Sequence, residues 1–272
     1  MKRNLFDLSG RVIVVTGGLG QLGRQFTLSL LGQGARVVVL DIAIDDKEVH
    51  NRYGRQANDP SLLFVQADIT RRESLEAARA RILETWEEPF GLVNNAALDS
   101  PPDAPPDENG PFESYPVSSW DTVMAVNAKG AFLCCQVFGG AMAEAGRGSI
   151  VNVASIYGMV SPDQGLYEYR RQRGDIFFKP VAYSVSKSAL YNLTRYIATY
   201  WGGRGVRANT VSFAGVFNNQ DPEFLENYCA KVPLGRMADE SDYNGTIIFL
   251  MSDASVYMTG ANLVVDGGFT AW

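Results

Sequence analysis

Short apolar runs alternate with longer segments whose apolar residues return every three or four positions. The runs Arg11–Thr16, Arg36–Leu40, Leu62–Gln66, Gly91–Asn94, Ser149–Val153, Val206–Ser212 and Asn262–Val265 are rich in β-branched residues and almost unbroken by polar ones. Strands buried on both faces read this way, because neither side meets water. Gln21–Gln33, Arg72–Trp86, Ser118–Ala145, Tyr183–Trp201 and Asp239–Met251 carry helical periodicity. The alternation predicts an α/β chain with a doubly wound, seven-stranded parallel sheet, helices on both faces and right-handed crossovers. No linker, repeat or second core divides residues 1–272, so one domain is expected.

Two stretches break the rhythm. Asp99–Pro116 is dense in proline and acid and is expected to be loop. Tyr157–Pro180 is a long connection carrying Arg170, Arg171, Arg173 and Lys179, and loops of this length in a compact domain are usually functional or mobile.

The first strand runs into Thr16-Gly17-Gly18-Leu19-Gly20-Gln21-Leu22-Gly23, and a helix follows. Glycines at a strand-to-helix turn let a pyrophosphate approach the backbone and sit on the helix N-terminal N–H groups. A single-domain Rossmann fold is therefore expected. Asp41 ends the second strand, where a carboxylate accepts ribose hydroxyls and repels an extra phosphate. The next residue is Ile42, and Arg24 is the one nearby cation. NAD is the expected cofactor.

At net charge −6 and pI about 4.9, the chain lacks the overall basic character that nucleic acid or an anionic membrane calls for, so neither partner is expected. No signal peptide is read, and no apolar stretch is expected to reach the ~20 residues that span a bilayer. Three cysteines, Cys134, Cys135 and Cys229, suggest no disulfide framework and a cytoplasmic setting. The single histidine, His50, lies in the polar segment Asp45–Pro60, and no metal site is expected.

The whole chain resembles the short-chain dehydrogenase/reductase family. The resemblance rests on the glycine turn, Asp68 in Ala67-Asp68-Ile69, Asn94-Asn95-Ala96-Ala97, Asn127 in Val126–Gly130, Ser155 in Asn152–Ser155, Tyr183-x-x-x-Lys187, and Val265-Asp266-Gly267-Gly268. It implies a catalytic set of Asn127, Ser155, Tyr183 and Lys187. It also implies that the cofactor is held by Gly17, Leu19, Gly20, Gln21, Leu22 and Gly23, by Asp41 and Ile42 at the ribose, and by Asp68 and Ile69 at the adenine. Asn95, Ala96 and Ala97 would continue that contact, and Gly215 and Val216 would meet the nicotinamide, with Tyr183 and Lys187 beside it. A cofactor half of about 1–150 precedes a catalytic half of about 151–272, and a homotetramer or homodimer is implied. Gln21 and Ala97 stand where glycine is usual, and Ser212-Phe213-Ala214-Gly215 replaces a Pro-Gly turn.

The residue types suit the chemistry. Oxidising an alcohol needs a base on the hydroxyl proton, and a free phenol, pKa about 10, is too weakly ionised for that. A cation one helical turn away favours phenolate, and Tyr183 and Lys187 are four residues apart. By the resemblance, Ser155 would hold the substrate oxygen and Asn127 a proton-relaying water. Taken alone, Y-x-x-x-K would be an ordinary helix surface pair.

The substrate is expected to be a small molecule with a secondary alcohol or ketone. Some of Arg170, Arg171, Arg173 and Lys179 are expected to grip an anionic group, and Val216–Pro233 to form a mobile lid. Phe217–Gln220, Val232–Met237 and the long loop resemble reductases of bacterial surface-glycan gene sets, which implies a sugar-like substrate. Two alternatives stay open: an NAD-retaining epimerase or dehydratase, and a non-catalytic dinucleotide sensor.

Overall fold

The computed structural model describes residues 4–100 and 106–272. Seven strands, β1 (Val12–Thr16), β2 (Arg36–Asp41), β3 (Leu62–Gln66), β4 (Gly91–Asn94), β5 (Gly148–Ser155), β6 (Val206–Phe213) and β7 (Asn262–Val265), form one parallel sheet in the order β3-β2-β1-β4-β5-β6-β7. Every residue of β1 and β5 is buried; β1 is apolar up to Thr16, and the polar Ser149 and Asn152 of β5 are satisfied by Leu250 O and by Asn94 and Thr194. The order reverses between β1 and β4, and the crevice beyond their carboxyl ends is where ligands bind such sheets.

Helices cover both faces. On one side lie α1 (Gln21–Gly32) and α8 (Asn244–Met251), whose Phe26, Leu30 and Ile247 pack on Ile13, Val37 and Val93. On the other lie α3 (Arg72–Thr85), α4 (Val117–Glu144) and α6 (Val181–Trp201), contributing Leu75, Ile82, Phe138 and Ile197.

The helix α4 is long enough and apolar enough on average to cross a bilayer, as core helices of globular proteins also are. More than half of its most apolar window is buried inside the fold. Its hydropathy comes from Val123, Leu133, Cys134, Cys135 and Phe138, which meet the core rather than lipid. Residues Ala125–Gly130 and Cys135–Gly139 wind as π turns, a distortion that often marks functional positions.

Other departures have local causes. The polar segment after β2 contains α2 (Asp46–Tyr53), started by Asp45, whose side chain accepts from the Glu48 N–H. Its weak periodicity concealed a single buried anchor, Tyr53, whose hydroxyl donates to Gly18 O at 2.7 Å and braces the glycine turn. Helix α8 begins five residues after the expected Asp239, because Asp239 and Arg236 are tied into a turn by Asp242. Helix α5 (Glu168–Gln172) and helix α7 (Pro222–Cys229) fold inside the expected long loop and lid. The expected loop Asp99–Pro116 lies partly outside the described residues; its remainder holds short turns at Pro106–Asn109 and Phe112–Ser114.

Candidate active site

The turn after β1 is tightly self-packed. Gly17 sits at φ +64°, and a Cβ on it would lie 2.7 Å from Ala96 Cα. A Cβ on Gly23 would lie 2.1 Å from Gly17 O. Gly20 is different: its backbone is ordinary, and a Cβ there would meet only Gly17 O, at 3.3 Å. Its missing side chain clears the approach to the N-terminus of α1, which no side chain caps. Uncapped N–H groups on a bare face suit a pyrophosphate, so these residues fit a dinucleotide.

The flanking residues stabilise this turn. Thr16 Oγ1 accepts from the N–H groups of Asn95 and Ala96, both at 3.0 Å. The Asn95 amide donates to the carbonyls of Thr16 and Gly17, so that side chain supports the turn instead of reaching out from it. Asp41 Oδ2 accepts from Leu19 N at 3.1 Å and Oδ1 from Ala43 N at 3.1 Å. Ile42 beside it is 63% exposed. Asp68 Oδ1 is occupied by Thr70, and Ile69 packs against Gly130 of α4. Leu22, Asn95, Ala97, Gly215 and Val216 line one wall of a cleft of about 800 Å³. Gln21 donates to Phe217 O at 3.1 Å, tying the turn to the expected lid.

Ser155, Tyr183 and Lys187 line the same cleft. Ser155 ends β5 and accepts from Tyr157 N. Lys187 is buried, donates to Val153 O at 2.8 Å, and lies 5.7 Å from the Tyr183 ring centroid. Burial drives the Lys187 ammonium down to about 8, opposed by the Asp99 carboxylate. Burial also raises the Tyr183 phenol above its ordinary range; Asp99 adds to the rise and the hydrogen bond with Ser155 opposes it. In the chain by itself, desolvation therefore outweighs the expected help from the cation.

Asn127 lies in the first π turn of α4, buried and fully engaged. Its Oδ1 accepts from Leu98 N at 2.7 Å, and its Nδ2 donates to Leu98 O and Ser186 Oγ. The side chain holds the chain just before Asp99.

Three tyrosines brace the site in ways the sequence does not assign, since it places Tyr228 in the expected lid and Tyr191 on an expected core or subunit face. Tyr191 continues the face of Tyr183 and Lys187 by another four residues, donating to Ser155 O and meeting Ser212 Oγ. Tyr228 accepts from Gly215 N at 2.7 Å, and Tyr243 donates to Ala214 O while stacking on Phe213 at 3.9 Å. These two tyrosines hold the turn that lacks Pro-Gly. The i,i+4 spacing could have revealed Tyr191; the other two contacts depend on distant segments.

The loop cations expected to grip an anion are each paired within the chain. Arg170 pairs with Asp175, Arg171 with Glu168, Arg173 with Glu223, and Lys179 with Asp99. Arg171 further donates to the carbonyls of Gln164 and Phe177, which makes it a brace inside the loop. The lid helix α7 packs on the loop through Phe224 stacked on Tyr167, and Lys231 reaches Asp163.

Among known proteins, a family model described as enoyl-(acyl carrier protein) reductase matches residues 20–270. The chain is 30% identical to an NAD-dependent glycerol dehydrogenase of Listeria innocua, over 97% of this chain and 96% of that one. It is 31% identical to a galactitol 2-dehydrogenase (L-tagatose-forming) of Cereibacter sphaeroides, over 99% of each. A short chain dehydrogenase of Leptospira borgpetersenii, solved with bound NAD+, superimposes with TM-score 0.83 and 32% identity, covering 99% of this chain and 97% of that one. Matched along almost its whole length, the chain belongs to the short-chain dehydrogenase/reductase family, oxidoreductases that move a hydride between a nicotinamide dinucleotide and an alcohol or ketone carbon.

Proposed function

We propose that this protein is an NAD-dependent dehydrogenase of neutral polyols or related sugars, with Tyr183 as the acid–base group. The observation that carries the reading is the shared cleft: Ser155, Tyr183 and Lys187 line it together with Gly215, Val216 and Leu22, the last of them from the bare glycine turn. The bound dinucleotide would accept or donate the hydride. It would lie along Gly17–Gly23, with Asp41 at its ribose and Gly215 and Val216 at its far end. NAD is favoured over NADP because Asp41 presents a carboxylate at the tip of β2 and its neighbour Ile42 has no charge to bind a phosphate.

Tyr183 takes the hydroxyl proton as the alcohol is oxidised and returns it when the ketone is reduced. Ser155 hydrogen-bonds the reacting oxygen and steadies its developing charge. Lys187 holds positive charge beside the phenol, and Asn127 ties Leu98 to Ser186 on the helix that carries both. Residues 1–272 would form one domain, acting in the cytoplasm as a homodimer or homotetramer. Tyr196 and Tyr200, stacked on each other and 64% and 63% exposed on α6, support such a subunit face. The glycerol and galactitol relatives are named for net dehydrogenation, which favours this reading over transient redox or sensing.

An NADH-absorbance screen over polyols, with Tyr183→Phe beside the wild type, tests the proposal. Turnover should fall by about 10²-fold or more while NAD still binds. Near-normal turnover in the variant, or none by the wild type on any polyol, would overturn it.

A further inference from the structure

The charged side chains lining the cleft nearly cancel. Asp99, Asp175 and Asp221 face Arg170, Arg173 and Lys179, and Lys187 belongs to the reacting group. An anion-binding site leaves a guanidinium fork or ammonium free for the ligand. Here Arg170 and Lys179 are paired to cleft carboxylates and Arg173 to Glu223.

One of these pairs stands beside the phenol. Lys179 Nζ lies 5.3 Å from the Tyr183 ring centroid, on a side chain only 14% exposed, and is bonded to Asp99 Oδ2. Both ends of the pair are anchored. The Gln164 amide accepts from Lys179 N at 2.9 Å and donates to Lys179 O at 3.3 Å. Pro180 then starts α6. Asp99 follows Leu98, whose N–H and C=O are both held by the buried Asn127 amide. Two separate devices thus fix an ammonium and a carboxylate at the wall where a substrate must lie.

We infer that the Asp99–Lys179 ion pair determines substrate specificity: it binds a hydroxyl neighbouring the reacting carbon and turns away substrates with a carboxylate there. The inference deepens, and rests on, the assignment of Tyr183 as the acid–base group. The ammonium keeps donors beyond the one given to Asp99, and the carboxylate keeps lone pairs. A hydroxyl donates and accepts, so it satisfies both. An ionised carboxylate only accepts, and it would be placed against the Asp99 charge.

The test compares matched substrates, galactitol with galactonate and threitol with threonate, by NADH formation. The wild type should favour the neutral member of each pair by about tenfold or more in kcat/KM. Asp99→Asn, nearly identical in shape, unmasks the ammonium and should raise the acid-to-polyol ratio by about tenfold. Lys179→Met should raise KM for the polyol more than it lowers kcat, and Lys179→Arg should recover part of the loss. NAD affinity and thermal midpoint show whether each variant is folded. A folded Asp99→Asn enzyme with an unmoved ratio, or a wild type that prefers the acids, overturns this inference alone. If the wild type leaves all four untouched, the same comparison is made with a polyol from the wider screen and its acid; a wild type that oxidises no polyol at all removes the proposed function, and this inference with it.

Discussion

Lys187 carries a stability cost that can be measured without substrate. It is 4% exposed and its ammonium is driven from 10.5 to about 8, with burial as the main cause. A lysine whose folded pKa is depressed binds fewer protons folded than unfolded between those two values. Stability therefore rises with pH across that window, and the cost is fully developed below the folded pKa. At 1.36 kcal/mol per pH unit, keeping the ammonium buried costs about 3 kcal/mol at pH 7 and just over 1 kcal/mol at pH 9.5. Lys187→Met keeps the length and removes the charge, at the expense of the bond to Val153 O, worth about 1–2 kcal/mol. The variant should be more stable than the wild type near neutral pH, and that advantage should shrink by about 2 kcal/mol towards pH 9.5. Urea unfolding of both proteins at the two pH values measures this. Higher pH is avoided because the Tyr183 phenol, raised above 10, reverses the sign: the unfolded chain ionises first and stability falls. A gap between variant and wild type that stays constant from pH 7 to 9.5 would show that Lys187 titrates as a solvated amine, and the argument from burial would fail.

Two further perturbations address the cofactor half. Gly23→Ala places a methyl 2.1 Å from Gly17 O and 2.8 Å from Gly18 Cα, both backbone, so the turn must open. Overpacking of this kind costs about 1–3 kcal/mol, which lowers the thermal midpoint by several degrees and weakens NAD binding; calorimetry and fluorescence titration that find both unchanged would contradict the packing. Asp41→Ala removes the carboxylate from the tip of β2 and should raise the NADP-to-NAD ratio of kcat/KM by about tenfold, read in paired cofactor assays. An unchanged ratio would remove Asp41 as the discriminating group.

The fold was legible because its signals are local or repeated. Strands β3, β4 and β7 match the runs read from the sequence because each is a short, mostly apolar run with β-branched residues; β4 is buried throughout inside the sheet, whereas the edge strands β3 and β7 are only partly buried. The glycine turn was legible because its glycines fall within eight residues between a strand and a helix, although Gly17 and Gly18 are also constrained by the distant Ala96 and Val39. Tyr183 and Lys187 were legible as a pair because one helical turn separates them. Helix α2 escaped because it buries little beyond Tyr53, and α7 because an Asp-Pro start after a turn resembles loop. The long helix α4 was legible from its periodicity over Ser118–Ala145, because its apolar residues face the core.

The charge arrangement was not legible at all. Arg170, Arg171, Arg173 and Lys179 read as a free basic cluster, yet each is answered by a carboxylate, two of them from distant parts of the chain. Burial likewise sets whether a nearby ammonium or desolvation governs a phenol, and sequence spacing contains no dielectric. The amino-acid order determined which groups are available and which backbone turns are sterically allowed, because both are properties of neighbouring residues. Only the tertiary structure decided which charges meet and how much water they keep, because Coulomb energy and desolvation depend on distances through space between segments that the chain itself holds far apart.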